Sequence, residues 1–305
     1  MQRTLKQPIR LAGTGLHSGR PVRLCVLPAA AGYGIRFRRA DVTDRDNMIP
    51  ALWNHVTDTR LCTSLGNSAG VEISTVEHLM AALAGCGIYN ALVEVDGPEL
   101  PIMDGSSGPF VAAILGAGVQ VLDTPMRAIR LLGEVSVAHA GVSARLLPSD
   151  TVEIAFAIDF DEAAIGRQSK VLDMANGTFV RELSDCRTFC RRRDIERIQA
   201  AGRARGGDLG NAIVVDGPRV LNPGGFRRAD ECVRHKMLDA FGDLALAGAP
   251  LVARYEGTRA GHRITNLLLR ALFARPSVHE MTDCGPAITG RLPGAHILPE
   301  DFVRL

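Results

Sequence analysis

Two stretches of the chain place apolar residues at helical spacing, and they are the clearest elements in it. In "STVEHLMAALAG" (74–85), Leu79, Leu83 and the interleaved alanines share a face, and Gly85 is a natural stop. In "ADECVRHKMLDAFGDLALAG" (229–248), Val233, Met237, Leu238, Phe241 and Leu244 form an apolar side that Gly248 ends. "RRRDIERIQAAG" (191–202) repeats the pattern more weakly, with Ile195 and Ile198 facing inward. Around these lie short β-like runs punctuated by Gly and Pro: "VRLCVLP", "ALVEVDG", "AIRLLGEVSVAHA" and "TVEIAFAIDF". The mixture predicts an α+β fold without a regular βαβ repeat. Turn chemistry and a change of texture at "LDTPMRA" put a boundary near 123–127, dividing the chain into α+β domains 1–125 and 126–305.

Composition narrows the class. With 305 residues, 46% hydrophobic and 22% charged, the chain can bury the core of one large or two medium domains. A net charge of +2 gives no global field for nucleic acid or an anionic membrane, so partners must be argued from local sites. The first residues lack the apolar run of a signal peptide. No later stretch stays apolar for the roughly 20 residues of a membrane span, so a cytoplasmic protein with no integral membrane segment is expected. Seven cysteines without a CxxC pair argue for reduced thiols, not a disulfide framework.

The helical stretches also carry candidate chemistry. "VRHKMLD" puts His235 and Asp239 four apart, so both project from one helix face with Asp243 a turn later. That geometry serves two metal ligands, but a solvated polar stripe is the commoner case for an isolated HxxxD. "VEHL" pairs Glu77 with His78: a carboxylate base beside a ligand, or, through Ser74-x-x-Glu77, a capping box. His262 in "GTRAGHRITN" reads as a Gly-flanked turn that could expose a general acid or an ordinary surface histidine. "SDCRTFC" offers the Thr188 hydroxyl and the Phe189 ring, or a plain strand-to-helix transition. A rival structural zinc shell would use Cys186, Cys190, Cys232 and His235, although C-x3-C with C-x2-H is a loose spacing. Residues 181–205 hold eight arginines against four acids, a solvated helix face or a diphosphate cradle.

Several ordered blocks together resemble the UDP-3-O-acyl-N-acetylglucosamine deacetylase family, the zinc amidases that commit bacteria to lipid A synthesis. They are "QRTLKQPIRLAGTGLHSG", "LCTSL", "ISTVEHLMAALAGCGIYNALVEVDGPELPIMDGSSGPFV", "RTF", "GNAIVVDG", "VRHKMLDAFGDLALAG" and "AGH", which run nearly end to end. The resemblance implies two similar domains, each a sheet with helices, whose helical layers pack together around the active site. It implies zinc on His78, His235 and Asp239; iron(II) accepts the same ligand types. It makes Glu77 the general base, His262 the general acid, Asp243 the group that orients His262, and Thr188 the oxyanion donor. Lys236 would assist and face the polar part of the substrate. Phe189 would border the sugar or acyl chain, Cys62 would lie near the metal without being an obligatory ligand, and Asp194 and Gly207 would touch substrate. The implied partner is a UDP-linked acylated amino sugar, bound by a monomer.

Two stretches depart from the family's habit. Where the family carries apolar residues along the acyl passage, this chain reads "CRRRDIERIQAAGRAR", and Arg191, Arg192, Arg203 and Arg205 sit badly with a greasy tunnel, since a guanidinium reaches water only by snorkelling. After His262, Arg263, Ile264, Thr265 and Asn266 replace a Leu-Asn-Asn-like run. A deacetylase of another nucleotide-linked or acylated amino sugar therefore stays open. So does a non-catalytic nucleotide-sugar binder with a structural zinc.

Overall fold

The computed structural model describes residues 1–297 and Asp301; the end of the second expected domain, 298–300 and 302–305, lies outside the described residues. Two sheets dominate. The first runs, in spatial order, Ile9–Thr14, Pro21–Pro28, Ala91–Val95, Ile35–Arg39, Met48–Pro50. Its pairs are antiparallel, antiparallel, parallel and antiparallel. Within the second, Val135–His139, Val142–Pro148, Leu251–Thr258, Glu153–Asp159 and Arg167–Asp173 follow the same order with the same four pairing senses. Arg127–Leu131 and His279–Asp283 extend that second sheet. In both five-strand sets the last strand in sequence is inserted at the centre, so the parallel step needs a long crossover, and a helix supplies it.

Those crossover helices are α1 (Glu77–Gly85) and, among the helices that follow α2 (Gly108–Ala117) and α3 (Arg192–Ala200), α4 (Glu231–Ala245). Each ends where its Gly permits the chain to turn left-handed, with φ 73° at Gly87 and φ 85° at Gly248. Every residue of α1 is buried. In α4 the expected apolar side is buried, but so are His235, Asp239 and Asp243, which removes the solvated-stripe reading. The two helices pack on each other, with the sheets outside them, so the helical layers of the two units meet at the centre.

The contact is close because Gly242 faces the first turn of α1: a Cβ there would lie 2.0 Å from the Glu77 carbonyl oxygen. Behind it, Phe179 and Phe241 pack with ring centroids 5.3 Å apart. The apolar residues of strand Pro21–Pro28 alternate inward, and Leu24, Val26, Phe37 and Val93 join Leu79 and Leu83 in one continuous core.

Three expectations change. The run "AIRLLGEVSVAHA" is two strands broken at 132–134. Gly85 is the last residue of α1, not its stop. His262 lies in no turn; it opens α5 (His262–Phe273), whose amphipathic pattern the surrounding glycines and arginines disguise. Among the described residues no helix is long and apolar enough to cross a membrane.

Candidate active site

The first turn of α1 is set by the residue two before it. Thr75 has φ 60°, a conformation that is a genuine outlier for a β-branched residue, and its hydroxyl donates to Glu99 Oε1 at 3.2 Å. Ser74 is no cap, because its N–H donates to the Pro98 carbonyl and helix α1 begins at Glu77. The Glu77 carboxylate accepts instead from the Thr63 backbone N–H at 3.0 Å. The capping-box reading of that carboxylate therefore falls. Burial raises the Glu77 pKa above the usual carboxylate value, with nearby His262 and His78 pulling the other way.

His78, the next residue, meets His235 and Asp239 of α4, one atom from each lying within 4.8 Å of the others. Asp239 Oδ1 lies 3.2 Å from His235 Nε2 and 3.6 Å from His78 Nε2. Two ligands about 2.0 Å from a tetrahedral ion stand roughly 3.3 Å apart, so these spacings suit one small cation. The local chemistry agrees. Asp239 Oδ1 is buried without a hydrogen-bond partner, while Oδ2 accepts from Lys236 Nζ at 2.6 Å. Burial alone would raise the Asp239 carboxyl, yet neighbouring positive charge, with the Lys236 ammonium in direct contact, holds it well below the usual range. His235 donates from Nδ1 to the Cys186 carbonyl oxygen at 3.0 Å, which leaves Nε2 with its lone pair toward the site, and burial keeps the ring neutral. The residues present thus fit a divalent metal.

His262 stands across the cavity. Its Nδ1 lies 2.8 Å from Asp243 Oδ2. Burial and the α5 N-terminus both disfavour an imidazolium, but the Asp243 carboxylate outweighs them and lifts the pKa to about 9. Thr63 completes the frame, its hydroxyl donating to Asp243 Oδ1 at 2.6 Å while its N–H holds Glu77. Sequence reasoning missed Thr63. Its only signal was its place in "LCTSL", and its partners are distant in the chain.

Glu77, His78, His235, Asp239 and His262 face a cavity of 330 Å³ that Cys62, Thr188, Phe189, Asp194 and half-buried Lys236 also line. Phe189 packs edge-on to His235 at 6.3 Å. Cys62 is buried, with its thiol pushed up to about 12 by that burial. The rival Cys3His shell is absent among the described residues, where the His78, His235 and Asp239 group alone gathers ligand atoms; the Cys186 thiol points to the Glu182 carbonyl oxygen instead.

A second cavity of 350 Å³ adjoins the first through Leu16, His17, Leu61, Thr188, Phe189 and Cys190, and Gly207 lines it. Its walls are mostly apolar, with Ile195 and Ile198 of α3 among them, although Gln199 and Asp208 also line it. The arginines do not enter it. Arg192 and Arg197 are exposed and pair with Asp216 and Asp194, and Arg193 pairs with Asp161 and Glu162. Arg203 reaches Asp58, and Arg191 reaches Asp194 at 2.5 Å. The conflict expected between the arginine run and a greasy passage is thereby removed for the second cavity, whereas Arg191, Asp194 and Arg197 line the catalytic cavity, where both arginines pair with Asp194.

A third cavity, of 710 Å³, opens beyond Lys236 and His262 and gathers Arg60, His139, Arg259 and Arg263 with no carboxylate on its wall. Arg259 is exposed there and held at φ 52°. Neither feature was legible in the sequence.

A family model described as UDP-3-O-acyl N-acetylglycosamine deacetylase matches residues 2–274. Proteins named UDP-3-O-acyl-N-acetylglucosamine deacetylase are similar over most of the chain. The one from Phenylobacterium zucineum is 51% identical over 90% of this chain and 94% of its own. That from Myxococcus xanthus is 47% identical over 92% and 88%, and that from Shewanella frigidimarina 42% over 96% and 98%.

Proposed function

The chain belongs to the UDP-3-O-acyl N-acetylglycosamine deacetylase family, and from that premise we propose that it hydrolyses the N-acetyl group of UDP-3-O-acyl-N-acetylglucosamine, a step of lipid A biosynthesis. The products are UDP-3-O-acyl-glucosamine and acetate. The observation that carries this reading is the three-ligand group flanked by a buried carboxylate and a buried His–Asp pair, in a cavity continuous with an apolar one. We take the enzyme to act as a monomer in the cytoplasm, with its domains divided between residues 125 and 126.

His78, His235 and Asp239 would hold the metal, zinc by preference, since two imidazoles and a carboxylate leave a fourth position open. When bound it supplies Lewis acidity, polarising the acetamide carbonyl and easing deprotonation of water. Glu77 takes a proton as water oxygen attacks the carbonyl carbon, a task to which its raised pKa is suited. Thr188 donates its hydroxyl to the carbonyl oxygen as negative charge gathers there. His262, protonated at neutral pH, gives its proton to the departing nitrogen as the carbon–nitrogen bond breaks, and Asp243 orients it through that transfer. Lys236 holds Asp239 in its ligand orientation and presents its ammonium to the substrate. The acyl chain would lie along Ile195 and Ile198, with Asp194 and Gly207 beside its path. The wide basic cavity suits the diphosphate, because Arg60, Arg259 and Arg263 supply cations there.

Metal content and acetate release, measured together, test the reading. Glu77→Ala should retain metal and lose on the order of 10²–10⁴ in rate; Asp239→Ala should lose both. Full activity in Glu77→Ala would remove the general-base role.

A further inference from the structure

The loop from Gly15 to Gly19 passes between the catalytic and apolar cavities, and it is firmly built. Buried Glu99 accepts the backbone N–H groups of His17 and Ser18, each at 2.7 Å. A Cβ on Gly15 would lie 2.4 Å from Glu99 Oε2, and one on Gly206 would lie 2.4 Å from the Gly15 carbonyl oxygen. The loop is therefore clamped between Glu99 and the segment that follows α3.

His17, only 7% exposed, lines both cavities. Its Nδ1 accepts the Ala204 N–H at 3.3 Å, so in the neutral ring the proton sits on Nε2. Burial lowers the pKa of this ring and keeps it neutral. Nε2 is itself buried and has no hydrogen-bond partner. Buried donors are almost always paired, and this one belongs to a ring that lines the junction of two cavities, so an acceptor in whatever spans them would satisfy it.

We propose that His17 is a specificity-determining residue whose Nε2–H donates to the carbonyl oxygen of the ester joining the acyl chain to the sugar. This rests on the deacetylase reading above. A substrate with its acetamide at His78 and Asp239 and its acyl chain along Ile198 must cross this junction. The ester carbonyl is the polar acceptor at the root of that chain. A site built to hydrogen-bond a group rejects the analogue that lacks it, because the buried donor is then stranded. His17 thus distinguishes an esterified sugar from one that merely carries a hydrophobic chain.

The test compares the affinity of UDP-3-O-acyl-glucosamine with that of its 3-O-alkyl ether analogue, by calorimetry, on wild type, His17→Asn and His17→Gln. In His17→Asn the side-chain oxygen still accepts from Ala204, but no donor reaches the Nε2 position; in His17→Gln the amide NH2 reaches it. Wild type should prefer the ester about tenfold, the worth of one hydrogen bond. The preference should fall to about onefold in His17→Asn and return in part in His17→Gln. An unchanged preference in His17→Asn, or no preference in wild type, overturns the assignment. Should His17→Asn fail to fold, the wild-type ratio and His17→Gln decide. Acetate release is assayed alongside: a wild type that prefers the ester yet releases no acetate overturns the deacetylase reading and upholds the role of His17.

Discussion

Gly242→Ala adds a single methyl group at the crossing of α1 and α4. The new Cβ would lie 2.0 Å from the Glu77 carbonyl oxygen and 3.2 Å from the Ala81 nitrogen. A carbon–oxygen contact needs about 3.2 Å, so the helices must part by roughly 1 Å. Two energies oppose each other. Alanine favours a helix interior by about 1 kcal/mol over glycine, whereas overpacking costs about 1–3 kcal/mol. The net loss is then about 0–2 kcal/mol, a fall in melting temperature of a few degrees at most. Function has no such compensation. His78 rides on α1 while His235 and Asp239 ride on α4, and Asp239 Oδ1 stands only 3.6 Å from His78 Nε2. A 1 Å displacement of groups in a reacting array costs on the order of 100-fold in rate. Steady-state acetate release, metal content and thermal melting on the same sample separate the effects. Gly85→Ala is the control: its Cβ would lie 2.1 Å from Phe179 Cδ1, a clash of equal severity at the end of α1 remote from Glu77 and His78. It should lose stability but far less activity. If Gly242→Ala kept wild-type turnover and metal, the helix crossing would not set the site.

The pH profile of kcat/KM should rise through the ionisation of Glu77, above the ordinary carboxylate range, and fall as His262 loses its proton near pH 9. The sign for stability follows from the same residue. The His262 pKa is raised above its unfolded value near 6.5, so the stabilisation from its charge is complete below about 6.5 and is lost as pH rises through about 9. Asp243→Asn should move the alkaline limb toward neutrality, and an unmoved limb would assign it to another group. Ile198→Arg puts a cation into the apolar cavity, so it should lower kcat/KM at least tenfold for long acyl chains and much less for short ones. Equal losses on both would place the acyl chain elsewhere.

Much of this was readable in the chain, because it depends on local period. The apolar faces of α1 and α4 follow from Leu79, Leu83, Val233 and Phe241, and the four-residue step from His235 to Asp239 fixes a shared face before any fold is known. What local period cannot carry is meeting between distant segments. Nothing near Glu77 says that Thr63 will donate to it, and Ser74-x-x-Glu77 satisfies the capping pattern while its own backbone is taken by Pro98. The helix of His262 was hidden because Gly261 before it and Arg263, Thr265 and Asn266 after it read as a loop until Leu268, Leu269 and Leu272 are seen buried together. The arginine run was legible as charge, but its acid partners Asp58, Asp161, Glu162 and Asp216 lie in other segments. The free face of His17 became visible only when both cavities were in place.

The repeated strand order has a consequence of its own. Each five-strand set inserts its last strand at the sheet centre after a helix, and the two helices that carry the candidate ligands occupy equivalent places in the two halves. They have not inherited equivalent chemistry. One brings a single imidazole and the buried Glu77 carboxylate; the other brings an imidazole, a carboxylate and the Asp243 that pairs with His262. The molecule is in effect two unlike halves on one thread, neither of which carries all three candidate ligands. Covalent linkage gives them a fixed stoichiometry and an effective concentration that no dilution in the cell can lower.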